Sequence, residues 1–326
     1  MKMIYKIIGF PVLAFVFVGG YGYYSYKTKF GHWDVTNSSS KDSTISWAKF
    51  NWNNEFLGNK YIERTSMNIP AKIEGIPLNL TFQFDIGSNY TRIYENPFKS
   101  IYQPGKTSEN TVKNPVQFWN KIGTIKDVTV KFGNYKFTTK NAFVMKNHGD
   151  FIPRDNIING DTIHMGTIGA DMFQNKVLII DYPNQRFAIL DEVPNEYKAN
   201  LIDIEMKKNG MPILPMKIKG HTYKIGFDNG SSLFSIICLE KNTSKFSINP
   251  DIDTLKISSW GVKHDVTSKM VTDTFELAGQ KFSNVKVYTN HSGLGISHSL
   301  DGMTGNALFW DKTIIIDYKH KTFGVK

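Results

Sequence analysis

One segment of this chain occurs twice, and the repetition constrains the fold more than any other feature. Gly166-Thr-Ile-Gly169-Ala-Asp-Met-Phe173 runs on to Ile179-Ile180-Asp181-Tyr182, and Gly302-Met-Thr-Gly305-Asn-Ala-Leu-Phe309 runs on to Ile315-Ile316-Asp317-Tyr318. The spacing from first Gly to Asp is 15 residues in both copies. A second matched pair lies upstream. Leu80-Thr-Phe-Gln-Phe-Asp85-Ile-Gly87-Ser88 corresponds to Tyr223-Lys-Ile-Gly-Phe-Asp228-Asn-Gly230-Ser231. Between the pairs each copy carries a hairpin signal, around Gly133 and Gly279, preceded by Trp119 and Trp260. A fixed order of matched elements means one structural unit present twice, about 140 residues each time.

The unit is built of strands. After residue 60, short runs rich in Ile, Val, Phe, Tyr and Thr alternate with Gly, Asn and Pro, and helical periodicity is scarce. A hydrophobic share of 40% with 13% aromatics supplies real cores and excludes wholesale disorder. The expected architecture is all-β and bilobal, with lobes at 61–198 and 199–326 and a seam in Asp191–Asn200. Residues 31–60, rich in Ser between Ser38 and Ser46, read as a polar stalk with the first ordered residues at its end, structure resuming near Tyr61.

The amino terminus is of another kind. Residues 7–26 carry no charge between Lys6 and Lys27, enough to cross a bilayer core of about 30 Å. Tyr21, Tyr23, Tyr24 and Tyr26 fit an interfacial belt. Residues 1–30 therefore read as a signal anchor or as a cleaved signal peptide. Either sends the body of the chain out of the cytoplasm, periplasmic or extracellular, and the first adds a membrane contact through residues 7–26. The formal charge of +10 includes four lysines in those first 30 residues and is otherwise spread thinly, so nucleic acid is not expected as a partner.

Asp85 and Asp228 are the candidates for chemistry. Each ends an apolar strand, where a carboxylate is poorly solvated. Two such groups brought together by a twofold cannot both ionise, so the pair holds one proton. One member can then act as base toward a water and the other as acid toward a carbonyl. Gly87 and Gly230 permit close backbone approach, and the Ser88 and Ser231 hydroxyls are placed to orient the outer carboxylate oxygens.

On these residues the chain resembles the aspartic peptidases, the pepsin and retropepsin families, over residues 61–326. The family pattern is apolar-apolar-Asp-Thr-Gly-Ser, a flap hairpin, then apolar-apolar-Gly. Asp85, Gly87, Ser88, Asp228, Gly230 and Ser231 match the first element; Ile168-Gly169 matches the last, and Thr304-Gly305 matches it less closely. The spacing is similar to compact bacterial retropepsin-like domains fused in tandem. The resemblance implies a pepsin-like fold, a catalytic dyad of Asp85 and Asp228, no cofactor, a polypeptide substrate, and a monomer, since both lobes are in one chain. It places the flap near Phe118 and Trp119, neither a clear counterpart of the flap Tyr and each also readable as a core aromatic. The chain departs from the family where Ile86 and Asn229 replace the Thr or Ser that cross-links the two loops. Two functions follow. The intact motifs support a membrane-tethered aspartic endopeptidase. The two replacements support a catalytically silent relative that binds peptides or partners.

Other constellations carry less. None of the eight histidines has H-E-x-x-H spacing, and they read as surface or loop residues; no metal site is expected. Gly-x-Ser-x-Gly and Walker A motifs are absent. The single cysteine, Cys238, excludes an internal disulfide and reads as a core thiol. Asp181 and Asp317 fall where strands turn, which suits structural roles.

Overall fold

The computed structural model describes residues 32–37, 45–101, 117–119, 122–243, 246, 253–259, 262–291, 296 and 299–326. The segment 7–26 lies outside the described residues. Among those described, no helix is long and apolar enough to cross a membrane.

The fold is built from three sheets, one in each lobe and one shared. In the first lobe the strands run in the order 34–37, 135–145, 92–94, 163–168, 80–84, 60–73, 122–132 and 117–119, with 51–57 beside 60–73. In the second lobe the order is 253–259, 262–271, 285–290, 236–239, 302–304, 221–227, 212–218, 275–277 and 280–282. The central six strands of the first lobe have their counterparts in the same order in the second. The repeat seen in the sequence is therefore a repeat of topology.

The shared sheet joins the copies. Val177–Asp181 pairs antiparallel with Thr313–Asp317, and the equivalent residues Ile179 and Ile315 face each other, so a local twofold passes between them. Arg186–Leu190 and Ala48–Lys49 extend the sheet on one side, Thr322–Val325 and Leu201–Asp203 on the other. Leu178 and Ile180 join the main apolar cluster with Ile314 and Ile316, whereas Ile179 and Ile315 pack with Val177 and Ala188 in a smaller one. The runs are continuously apolar because both faces of this sheet are covered. Asp181 and Asp317 close the turns that follow: Asp181 accepts from Asn184 and Arg186, and Asp317 from the Lys319 and His320 backbone.

Order begins well before Tyr61. Trp33 is buried in the main core, Asp34–Asn37 pairs with the Tyr135–Met145 strand, and Phe50 is buried. The Tyr135 hydroxyl donates to the Ser46 carbonyl at 2.5 Å. Residues 32–37 and 45–60 thus pack with the first lobe and the shared sheet, whereas residues 38–44 of the expected stalk lie outside the described residues. Aromatic anchors at single positions, Trp33 and Phe50, leave no periodic pattern in the sequence. Cys238 is buried and free.

Candidate active site

The Asp85 and Asp228 loops are built alike. Leu80, Phe82 and Phe84 are buried on one strand that runs parallel to Ile163–Ile168, and the Asp85 N–H donates to the Ile168 carbonyl at 3.0 Å. In the second lobe His221–Phe227 runs parallel to Gly302–Thr304, and the Asp228 N–H donates to the Thr304 carbonyl at 2.9 Å. The Ser88 and Ser231 N–H groups then close tight turns onto the Asp85 and Asp228 carbonyls, both at 3.1 Å. Each matched apolar-Gly element serves as the rail against which an Asp loop is fixed.

The loops cross. A β-carbon on Gly87 would lie 2.3 Å from Asp228 Cγ, and one on Gly230 would lie 2.4 Å from Asp85 Cγ. Each carboxyl therefore occupies the space left by the missing side chain of the opposite loop. Asp85, Gly87, Ser88, Asp228, Gly230 and Ser231 all line one cleft of about 350 Å³. Burial holds the Asp85 pKa well above the usual carboxylate range; the Asp228 charge and the hydrogen bond to Asp228 add to the rise, opposed by the Ser88 N–H and by Arg92.

The two halves are not equivalent in their donors. Asp228 accepts from the Gly230 N–H at 2.9 Å and from the Ser231 hydroxyl at 2.9 Å. Asp85 accepts from the Ser88 N–H at 3.0 Å, but the Ser88 hydroxyl turns away and donates to the Tyr90 carbonyl at 2.8 Å. Arg92 holds it there, donating to Ser88 Oγ at 2.9 Å. The expected orienting role thus fits the Ser231 hydroxyl and not that of Ser88, because a nearby backbone acceptor and a guanidinium compete for it.

Asn229 links the two loops. Its side-chain carbonyl accepts the Ile86 N–H at 2.6 Å, joining the loops across the twofold. Ile86 itself is fully buried in the main apolar cluster. Behind Asn229, the Asn306 amide donates to the Asn229 carbonyl at 2.9 Å and to Ser232 Oγ at 3.0 Å, and the Tyr182 hydroxyl donates to Asn306 Oδ1 at 2.6 Å. The cross-link is one-sided, with an amide network beneath it.

Asn306 stands where the first copy has Ala170, a difference that gave no sequence signal. Asp171, at the position where the second copy has Ala307, is partly buried and accepts from the Thr91 N–H and hydroxyl, each at 2.8 Å. Burial pushes its pKa up to about 7. Arg92, Glu55 and Leu57 gave no sequence signal. Phe118 and Trp119 lie in a short strand paired with 122–124; their side chains lie outside the described residues.

The histidines differ from the surface reading in two cases. His264 is buried and lines the cleft. His164 sits against Tyr94, and burial pushes its pKa down to about 4. Among the described residues no group of three or more His, Cys, Asp or Glu side chains could hold a metal ion.

No family model matches the chain, and no curated protein matches it. It is similar to the crystal structure of an aspartic proteinase from Irpex lacteus, at 12% identity and a TM-score of 0.47, covering 86% of this chain and 97% of that one. It is also similar to the crystal structure of Basic 7S globulin from soybean, at 8% identity and a TM-score of 0.44, covering 87% and 95%. Both scores are low, and the reading of the site rests on its own geometry.

Proposed function

We propose that this protein is an aspartic-type endopeptidase in which a water held between Asp85 and Asp228 attacks the scissile carbonyl. The observation that carries the reading is the crossed pair of loops, which sets two carboxyls over each other's glycine with Asp85 held well above its ordinary pKa. Two carboxyls packed against each other's loops keep one proton between two oxygens, the arrangement needed for simultaneous base and acid catalysis.

The donor count supports one assignment of roles. Hydrogen bonds to a carboxylate favour its ionised form, and Asp228 accepts from one hydroxyl and one N–H where Asp85 accepts from one N–H. In this reading Asp228 serves as the base and Asp85 carries the proton. A water proton passes to Asp228 as the water oxygen bonds to the carbonyl carbon. The Asp85 proton passes to the carbonyl oxygen, giving a neutral gem-diol. On collapse, a proton reaches the leaving nitrogen from Asp228, the C–N bond breaks, and a gem-diol hydroxyl returns its proton to Asp85.

Residues 7–26 supply the tether or export signal in this reading, so the lobes work outside the cytoplasm as a monomer on extended polypeptides. The second reading, a silent peptide-binding module, is favoured by one observation: Ile86 offers no side-chain hydrogen bond to the opposite loop, so the cross-link runs one way. Digestion of a peptide library by the full chain separates the two. The endopeptidase reading expects internal cleavage that Asp228→Asn abolishes; binding without cleavage supports the silent module.

A further inference from the structure

Glu55 and Leu57 enter the cleft from outside the repeated motifs. They belong to a hairpin formed by Asn51–Leu57 and Lys60–Ile73. This hairpin starts in the first lobe and is fastened to the second. Lys60 pairs with Asp253 and donates to the Thr254 carbonyl at 3.3 Å. Ile62 packs on the second-lobe cluster that contains Phe234 and Ile237. The Ser232 hydroxyl donates to the Arg64 carbonyl at 2.7 Å, and the Arg64 guanidinium lies 5.0 Å from the Trp310 ring. Attachments at several points along the hairpin make it a fixed wall.

The second lobe gives the cleft an apolar face, from Met211, Phe234, Ile237, Ile257, Ile296 and Met303. Beyond the dyad, Glu55 is the one carboxylate among the described lining residues, and no Lys or Arg is among them. The Asn53 amide donates to Glu55 Oε1 at 2.6 Å, which orients the carboxylate, and among the described residues no cation pairs with it. Glu55 is exposed at the edge of the cleft, and a carboxylate oriented there by a neighbouring amide attracts a cation and repels an anion.

We infer that Glu55 is a specificity-determining residue, and that the substrates are peptides which set an apolar side chain against the second-lobe wall and a cationic nitrogen at Glu55. That nitrogen is either a Lys or Arg side chain or a free α-amino group; the shared chemistry is a hydrogen-bonding cation. The inference rests on the proposed peptidase reading for its cleavage test, and on the cleft alone for its binding test.

The experiment uses the full chain and a set of equal-length peptides with one central apolar residue. A single Lys, Ala or Glu is moved through the flanking positions, each peptide with a free or an acetylated amino terminus. The expected result is kcat/KM about tenfold higher for the best cationic peptide than for its Glu counterpart, with the ratio falling to near one in Glu55→Gln and reversing in Glu55→Lys. A preference that follows the Lys position assigns the side chain; one that disappears on acetylation assigns the amino terminus. Equal rates for Lys and Glu peptides, or an unchanged ratio in Glu55→Gln, overturn the inference. The same peptides, fluorescently labelled, are titrated with Asp228→Asn and with Asp228→Asn carrying Glu55→Gln. Charge-selective binding that depends on Glu55, without cleavage by the parent, overturns the peptidase reading and leaves the Glu55 assignment standing. Binding with no charge preference overturns the assignment whatever the cleavage result.

Discussion

Gly87 and Asp228 come from different lobes and compete for one space: a β-carbon on Gly87 would stand 2.3 Å from Asp228 Cγ. The contact explains why a glycine follows each Asp at the same offset, without any appeal to unusual backbone angles. Gly87→Ala is expected to displace the Asp228 carboxyl and lower kcat by about 100-fold, the typical cost of misplacing a reacting group by about 1 Å. Peptide turnover together with a thermal unfolding curve checks this; a folded variant with parental kcat would mean that the carboxyls need not meet.

The serines should separate. Ser231→Ala removes a hydroxyl that donates to Asp228, whereas Ser88→Ala removes one that is engaged with Tyr90 and Arg92. A hydrogen bond to a charged acceptor is worth about 1.5–3 kcal/mol, so Ser231→Ala should cost about ten- to a hundredfold in kcat. Ser88→Ala should cost clearly less. Steady-state kinetics on one peptide decides it, and equal losses would contradict the donor asymmetry.

The cross-link makes a stability prediction. Asn229→Ala leaves the buried Ile86 N–H without its acceptor, and should destabilise the fold by about 1–3 kcal/mol. Ile86 is fully buried among apolar side chains, so Ile86→Thr, which puts a hydroxyl there, should destabilise by a similar amount, about 1–3 kcal/mol. Denaturant midpoints of both variants are the check.

Asp171 gives a pH dependence of known sign. Its folded pKa is raised from the ordinary 3.8 to about 7, so the folded state binds the extra proton. Its contribution to stability is complete below about pH 4 and is lost as pH rises toward 7. The loss is as much as about 4 kcal/mol, reduced by the partial exposure of the group. Asp171→Asn keeps an oxygen acceptor for both Thr91 donors and cannot ionise. Its unfolding free energy should therefore fall less than the parent's between pH 4 and pH 7; parallel curves would refute the assignment.

What could be read in the sequence follows from what repeats. The Asp-Gly-Ser motifs, the apolar-Gly rails and the Asp181 and Asp317 turns were visible because each occurs twice at nearly constant spacing. The parts that were not visible break the symmetry. The Ser88 hydroxyl turns toward Tyr90 and Arg92, a local competition that no motif encodes. Asn306 and Tyr182 lie far apart in sequence and meet beneath the Asp loops only through the shared sheet. Trp33, Ser46 and Phe50 anchor the first lobe from a serine-rich stretch that reads as a stalk. Glu55 reaches the cleft only because its hairpin is fastened to the other lobe.

The central claim, that a water activated between Asp85 and Asp228 attacks the peptide carbonyl directly, is tested most directly by a single turnover in water enriched in ¹⁸O. The account predicts fragments whose new carboxyl carries one ¹⁸O atom in the first turnover, and no fragments from Asp228→Asn. First-turnover products carrying only ordinary oxygen would mean that an enzyme carboxylate attacks the peptide itself. No cleavage by the parent chain between acid and neutral pH would mean that the crossed carboxyls serve binding and not hydrolysis.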